Sequence, residues 1–290
     1  MPMTRRSFLQ QGAATATILT AAPFLLADPL GLPIGCQTYP VRATINTDFA
    51  GTMKGLSTAG FQTIELCSPF GYKDFSSLAR YKPQELRKML NDYGLTCISS
   101  HFGTDELFHH AEERIAWAKE FGLTQMATAS LGFAALRKGV PPTVDDVKRV
   151  TDLFNTFAAK AHDANIVAVL HNEGFEVTSI DGKRVYDMEI EQLDPKTVKL
   201  QFQVSTMRSG FDPVDYFGRY PDRYISMHCQ DWIIGPDGKA KQVALGKGVV
   251  DWKKVFTAAK KAHIKNYFVE LEEDPALMPL SVPYLKRLKV

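Results

Sequence analysis

The chain has 290 residues, 45% of them hydrophobic, and a formal net charge of +2. A chain of that length can bury the core of one sizeable domain. Its near-neutral charge leaves no basic stripe of the kind that meets a phosphate backbone, so no nucleic-acid partner is expected.

Residues 1–27 differ from the rest. Thr4-Arg5-Arg6-Ser7-Phe8-Leu9 is a twin-arginine export motif, and Gly12 to Leu26 is a modestly apolar run of small residues ending near Ala27. The run is too short for a stable membrane span and is interrupted by Pro23. The expectation is a signal segment over 1–27, export to a periplasmic or other extracytoplasmic space, and a single domain over 28–290.

From Ile34 onward, short apolar runs alternate with amphipathic stretches. The runs are Ile34 to Tyr39, Thr63 to Leu66, Thr96 to Phe102, Gln125 to Ala129, Ile166 to His171, Val198 to Val204, Tyr224 to His228 and Asn266 to Leu271. Helical patterns lie between them at Phe49 to Ala59, Pro83 to Tyr93, Glu106 to Phe121, Val144 to Ala164, Pro213 to Tyr220 and Trp252 to Ala262, with a short Asp194 to Val198 connection and a closing Pro283 to Leu288. Gly60, Gly94, Gly122 and Asn165 each stand where a helix must end in a left-handed residue before the next strand. Eight strands with intervening helices predict an α/β fold, a (β/α)8 TIM barrel. An open doubly wound sheet would call for a glycine-rich turn after the first strand, which instead runs into Gln37-Thr38-Tyr39-Pro40. Long connections at Phe70 to Lys82, Gly174 to Glu191 and Gln230 to Val249 fall on the mouth side, and Asp181-Gly182 reads as a hairpin turn. Cys36, Cys67, Cys97 and Cys229 lie in or just after strands with no CxxC spacing, which favours buried thiols over disulfides or a zinc cluster.

Three ionisable residues stand where strands give out: His171, His228 and Glu270. In a barrel the C-terminal strand ends converge on one mouth, so two imidazoles and a carboxylate meeting there suggest a divalent metal site. The plainer alternative is a polar sugar site without metal. Glu173 lies two residues beyond His171 with the same strand parity, and Glu65 closes the second strand; either carboxylate is a candidate base. Trp232 at the mouth would stack on a sugar ring, and Asp231 would bind substrate, orient a ligand or cap a loop.

The runs Leu170-His171-Asn172-Glu173-Gly174-Phe175-Glu176, Gln201-Phe202-Gln203, Met227-His228-Cys229-Gln230-Asp231, Gly246-Lys247-Gly248-Val249-Val250-Asp251-Trp252 and Phe268-Val269-Glu270 resemble, in order and spacing, the xylose isomerase-like TIM barrels described as sugar phosphate isomerases or epimerases. The resemblance spans Ile34 to the C-terminus. It implies one divalent ion held at positions that map to His171, Gln203, His228 and Glu270, and it casts His101 as a third-strand substrate residue. Two of the four positions depart from the family pattern: His171 replaces a carboxylate, as in a branch reading His-Asn-His, and Gln203 replaces an aspartate. With two negative charges fewer, zinc, manganese or iron suits the set better than magnesium.

Such a site implies proton abstraction next to a carbonyl, through an enediolate, on a small carbohydrate. Three functions follow: an isomerase or epimerase, a lyase or glycoside-cleaving enzyme on a keto-sugar using the same deprotonation, and a non-catalytic sugar-binding barrel.

Overall fold

A computed structural model describes residues 29–290. The twin-arginine segment read from residues 1–27 lies outside the described residues. Eight parallel strands close into a barrel: β1 Gly35–Gln37, β2 Thr63–Cys67, β3 Thr96–His101, β4 Gln125–Thr128, β5 Val167–His171, β6 Val198–Gln203, β7 Tyr224–Cys229 and β8 Asn266–Val269. Each pairs with its neighbours in sequence order, and β1 closes on β8.

The left-handed helix ends expected from sequence are present at Gly60 (φ 100°), Gly94 (φ 72°), Gly122 (φ 95°) and Asn165 (φ 61°). Helix Phe49–Ala59 shows why such a residue is needed: the Gly60 N–H caps the Leu56 and Ser57 carbonyls, turning the chain toward buried Phe61 and β2. The Asp181-Gly182 turn joins the antiparallel pair Ser179–Ile180 and Lys183–Arg184, both central residues having positive φ. All four cysteines are free and buried.

Three elements differ from the sequence reading. The Glu106 to Phe121 helix is broken at His110 into Thr104–His109 and Ala111–Phe121. A helix at Val185–Gln192 precedes the Asp194 connection; it buries Val185, Tyr186, Met188, Glu189 and Ile190, too much of its circumference to leave a 3.6-residue polar stripe. The last helix runs Leu277–Leu285, with Pro283 inside it rather than at its start.

The barrel interior below the mouth is polar. Gln37 on β1 is in register with Glu65 on β2, Glu65 with Ser99 on β3, and Gln201 on β6 with Ser226 on β7. All five are essentially inaccessible to solvent. Register shifts fall beside Glu65 and beside Gln201, the two residues that carry most of this layer's hydrogen bonds. A barrel centre usually filled by branched hydrocarbons here holds a hydrogen-bonded platform for the site above it.

Candidate active site at the barrel mouth

Glu65 is the hub of the platform. Its carboxylate accepts from Ser99 Oγ at 2.5 Å, Gln37 Nε2 at 2.9 Å and Gln201 Nε2 at 3.0 Å. His228 Nε2 lies 2.5 Å away and His101 Nε2 3.2 Å away. Burial alone would raise its pKa, but the two imidazoles outweigh burial and hold the carboxyl well below the usual range. Glu65 therefore differs from its expected role as an alternative base: both oxygens are occupied, and it does not line the cavity at the mouth.

One layer higher, His228 bridges two carboxylates, its Nδ1 lying 3.0 Å from Glu270 Oε2. Burial works against its charge, yet Glu270 and Glu65 push its pKa up to about 10. Glu270 also accepts from Gln203 Nε2 at 2.7 Å and Gln230 Nε2 at 3.1 Å. These partners overcome burial and hold Glu270 low. His171 is the opposite case. Burial, reinforced by His228 and His101, depresses its pKa well below the ordinary value and keeps the ring neutral. Its Nδ1 is buried without a hydrogen-bond partner, and so is Gln203 Oε1.

The structure thus brings His171, Gln203, His228 and Glu270 together at the strand ends. His101 joins them: one ligand atom from each of His101, His171 and His228 lies within 4.8 Å of the others. Its Nε2 is 2.8 Å from Gln201 Oε1, whose amide nitrogen is turned to Glu65 and Ser226. That orientation assigns a proton to His101 Nε2 and the acceptor role to Gln201.

Above these residues opens a cavity of about 400 Å³, walled by Tyr39, Tyr72, His101, Phe133, His171, Glu173, Glu270 and Glu272 among others. Glu173 has a half-exposed side chain, with Oε2 3.9 Å from His171 Nε2. Partial desolvation on its cavity side, despite that exposure, and the Glu270 charge raise its pKa. Glu272 was missed from sequence although it shares the parity of Glu270; burial, Glu270 and Glu173 push it up to about 7. Gln201 and Gln37 were missed as well. The Gln201-x-Gln203 alternation carried the signal for the first, since both amides must point to the same face.

Asp231 and Trp232 do not line the cavity. The chain leaves β7 into an antiparallel hairpin, Asp231–Ile234 with Ala240–Val243. Asp231 is buried there and accepts from the main-chain N–H groups of Trp232, Gly246, Gly248 and Val250 and from Trp252 Nε1, so it clamps the loop. A side chain at Gly248 would collide with that carboxylate, its Cβ falling 2.1 Å from Asp231 Oδ1. Trp232 is buried beneath the Arg208 guanidinium. Of the roles the sequence leaves open for Asp231 the structure shows the loop cap rather than a substrate contact, and the sugar stacking expected of Trp232 is corrected to packing within that loop.

Comparison with known proteins agrees with the barrel. Residues 54–288 match the family model for the xylose isomerase-like TIM barrel. An inosose dehydratase of Geobacillus thermodenitrificans is 29% identical over 150 residues, a match covering 46% of this chain and 47% of that protein; the chain thus spans about half the length of this curated relative. A sugar phosphate isomerase/epimerase from Parabacteroides distasonis superposes with a TM-score of 0.72 at 22% identity, over 88% of this chain and 95% of that one. An IOLI protein with a bound zinc atom superposes with a TM-score of 0.66 at 12% identity, over 89% and 95% of the two chains. By its closed eight-stranded barrel and by the model match over most of its length, the chain belongs to the xylose isomerase-like TIM barrel family.

Proposed function

We propose that the protein is an exported, metal-dependent enzyme that removes a proton next to the carbonyl of a small carbohydrate and returns it to give an isomer or epimer. The observation that carries the reading is Glu173: a carboxylate on the cavity wall, 3.9 Å from a neutral imidazole that has a buried, unpartnered nitrogen.

The residues fit a divalent ion. His171 Nδ1 and Gln203 Oε1 are buried polar atoms with no hydrogen-bond partner, a costly condition that a cation would relieve at the amide oxygen and, in the tautomer protonated at Nε2, at the imidazole as well. His171, His228 and Glu270, with Gln203 beside them, would hold it, His228 giving up the Nδ1 proton that it shares with Glu270 when the ion is absent. His101, with its proton on Nε2 toward Gln201, keeps an Nδ1 lone pair and stands in the same histidine cluster. An imidazole-rich set favours zinc, manganese or iron over magnesium. When bound, the ion supplies Lewis-acid polarisation of a carbonyl oxygen. Glu65 fixes the His228 ring from behind, as carboxylates do for metal-binding histidines. Glu173, whose raised pKa makes it a stronger base than an ordinary carboxylate, takes the proton from the adjacent carbon and can return it.

A second reading is favoured by the similarity to an inosose dehydratase. The same deprotonation, followed by loss of a group from the next carbon, is an elimination. Glu272, with a pKa of about 7 on the same cavity wall, can protonate the departing oxygen. Both readings are tested by incubating the metal-loaded protein with unphosphorylated aldoses, ketoses and keto-glycosides in heavy water. Deuterium at a carbon with an intact sugar supports the first, loss of a group supports the second, and binding without either leaves a sugar-binding barrel.

A further inference from the structure

The cavity does not end at Phe133. Ala129, Phe133 and Glu173 also form one side of a second groove of about 430 Å³, completed by Gly132, Leu136 and Phe175. Phe133 is 80% exposed and Leu136 50%, while the short helix that carries Phe133 packs inward through Gly132 and Ala135. The phenyl ring at position 133 thus buries little of its surface against the fold. The groove floor is nonetheless firmly built. A Cβ on Gly132 would lie 2.4 Å from Phe175 Cβ, so this glycine allows the two segments to close on each other. The Leu131 N–H donates to the buried Glu176 carboxylate at 2.7 Å, tying the same two segments a second time. Neither the cavity nor the groove has a lysine or arginine in its wall.

We propose that this groove is a second subsite of the same enzyme, holding the uncharged, apolar-faced group attached to the reacting keto-sugar: the aglycone or second ring of a keto-glycoside. The inference rests on the sugar-processing reading and narrows its substrate class. Its support is continuity with the cavity that holds Glu173, an exposed aromatic ring between the two, and the lack of any cation for a phosphate or carboxylate substituent. A free monosaccharide would occupy the first cavity and leave Phe133 in water. An aryl group or the C–H face of a second sugar ring would cover it.

The test is calorimetric titration of matched methyl and phenyl glycosides of glucose, galactose, mannose and xylose into the full chain. For at least one sugar the phenyl glycoside should bind about tenfold more tightly, the size of a favourable ring–ring contact. That ratio should fall toward one in Phe133→Ala and in Leu136→Ser, two exposed positions whose variants retain the core. Equal affinities in the unmodified protein, a preference that survives both substitutions, or no binding of either glycoside would each overturn the subsite; a groove covered by a second copy of the chain gives the first of these. The simple glycosides lack a carbonyl and report binding only, so failure of the parent reading looks different: a Phe133-dependent preference together with no deuterium exchange on phenyl keto-glycosides in heavy water keeps the subsite and removes the reaction.

Discussion

His228 Nε2 and Glu65 Oε2 meet at 2.5 Å in a part of the barrel that solvent does not reach, joining a residue of the second strand to one of the seventh. Glu65→Ala leaves the His228 imidazolium with one counter-charge in a buried site, a loss of about 3–5 kcal/mol for such pairs. Denaturant unfolding should report a destabilisation of that order. Glu65→Gln, which preserves size, should cost less stability and still weaken divalent affinity by about 10–100-fold, through loss of the ring's carboxylate support.

The ligand set is separable by metal analysis. His171→Ala, His228→Ala and Glu270→Ala should each lose the bound ion. Gln203→Asp should raise affinity by adding a charge beside His171 and Glu270. Retention of stoichiometric metal in all of the first three would remove the proposed site.

Much of this site was legible in the sequence, because a parallel barrel brings strand ends together whatever the chain separation. His171, His228 and Glu270 were readable as the residues at which apolar runs stop. The role of Glu65 was not, since its partners arrive from four other strands and no local spacing records them. The substrate role read for Asp231 and Trp232 fails for the opposite reason. Their closeness to His228 in sequence suggested the mouth, but β7 passes directly into a hairpin whose backbone N–H groups take the carboxylate.

Charge in the cavity sets a further expectation. Asp105, Glu173, Glu270 and Glu272 line it with no lysine or arginine among them. A sugar phosphate should therefore bind about tenfold or more weakly than the same sugar without phosphate, and the gap should narrow as salt screens the repulsion. Preferential binding of the phosphate would contradict this.

Two buried carboxyl groups, Glu176 and Glu189, give a pH dependence. Burial pushes Glu176 from 4.5 up to about 8, and burial with the neighbouring Glu176 charge raises Glu189 well above its ordinary value. Between pH 4.5 and about 8 the folded chain keeps a proton that the unfolded chain releases. Stability from this pair is therefore greatest below the window and declines as pH rises through it, by up to about 1.4 kcal/mol per pH unit for each proton held. Glu176→Gln should flatten the fall in melting temperature between pH 5 and 8; an unchanged slope would show that the pair does not hold that proton.

The central claim is that Glu173 moves a proton on a carbon of the bound sugar. The most direct measurement is incorporation of solvent deuterium into a sugar that the unmodified protein exchanges, repeated with Glu173→Gln at equal metal occupancy. The account predicts that the variant folds, keeps its metal and loses exchange by about a hundredfold or more. Exchange at the original rate in Glu173→Gln would contradict it.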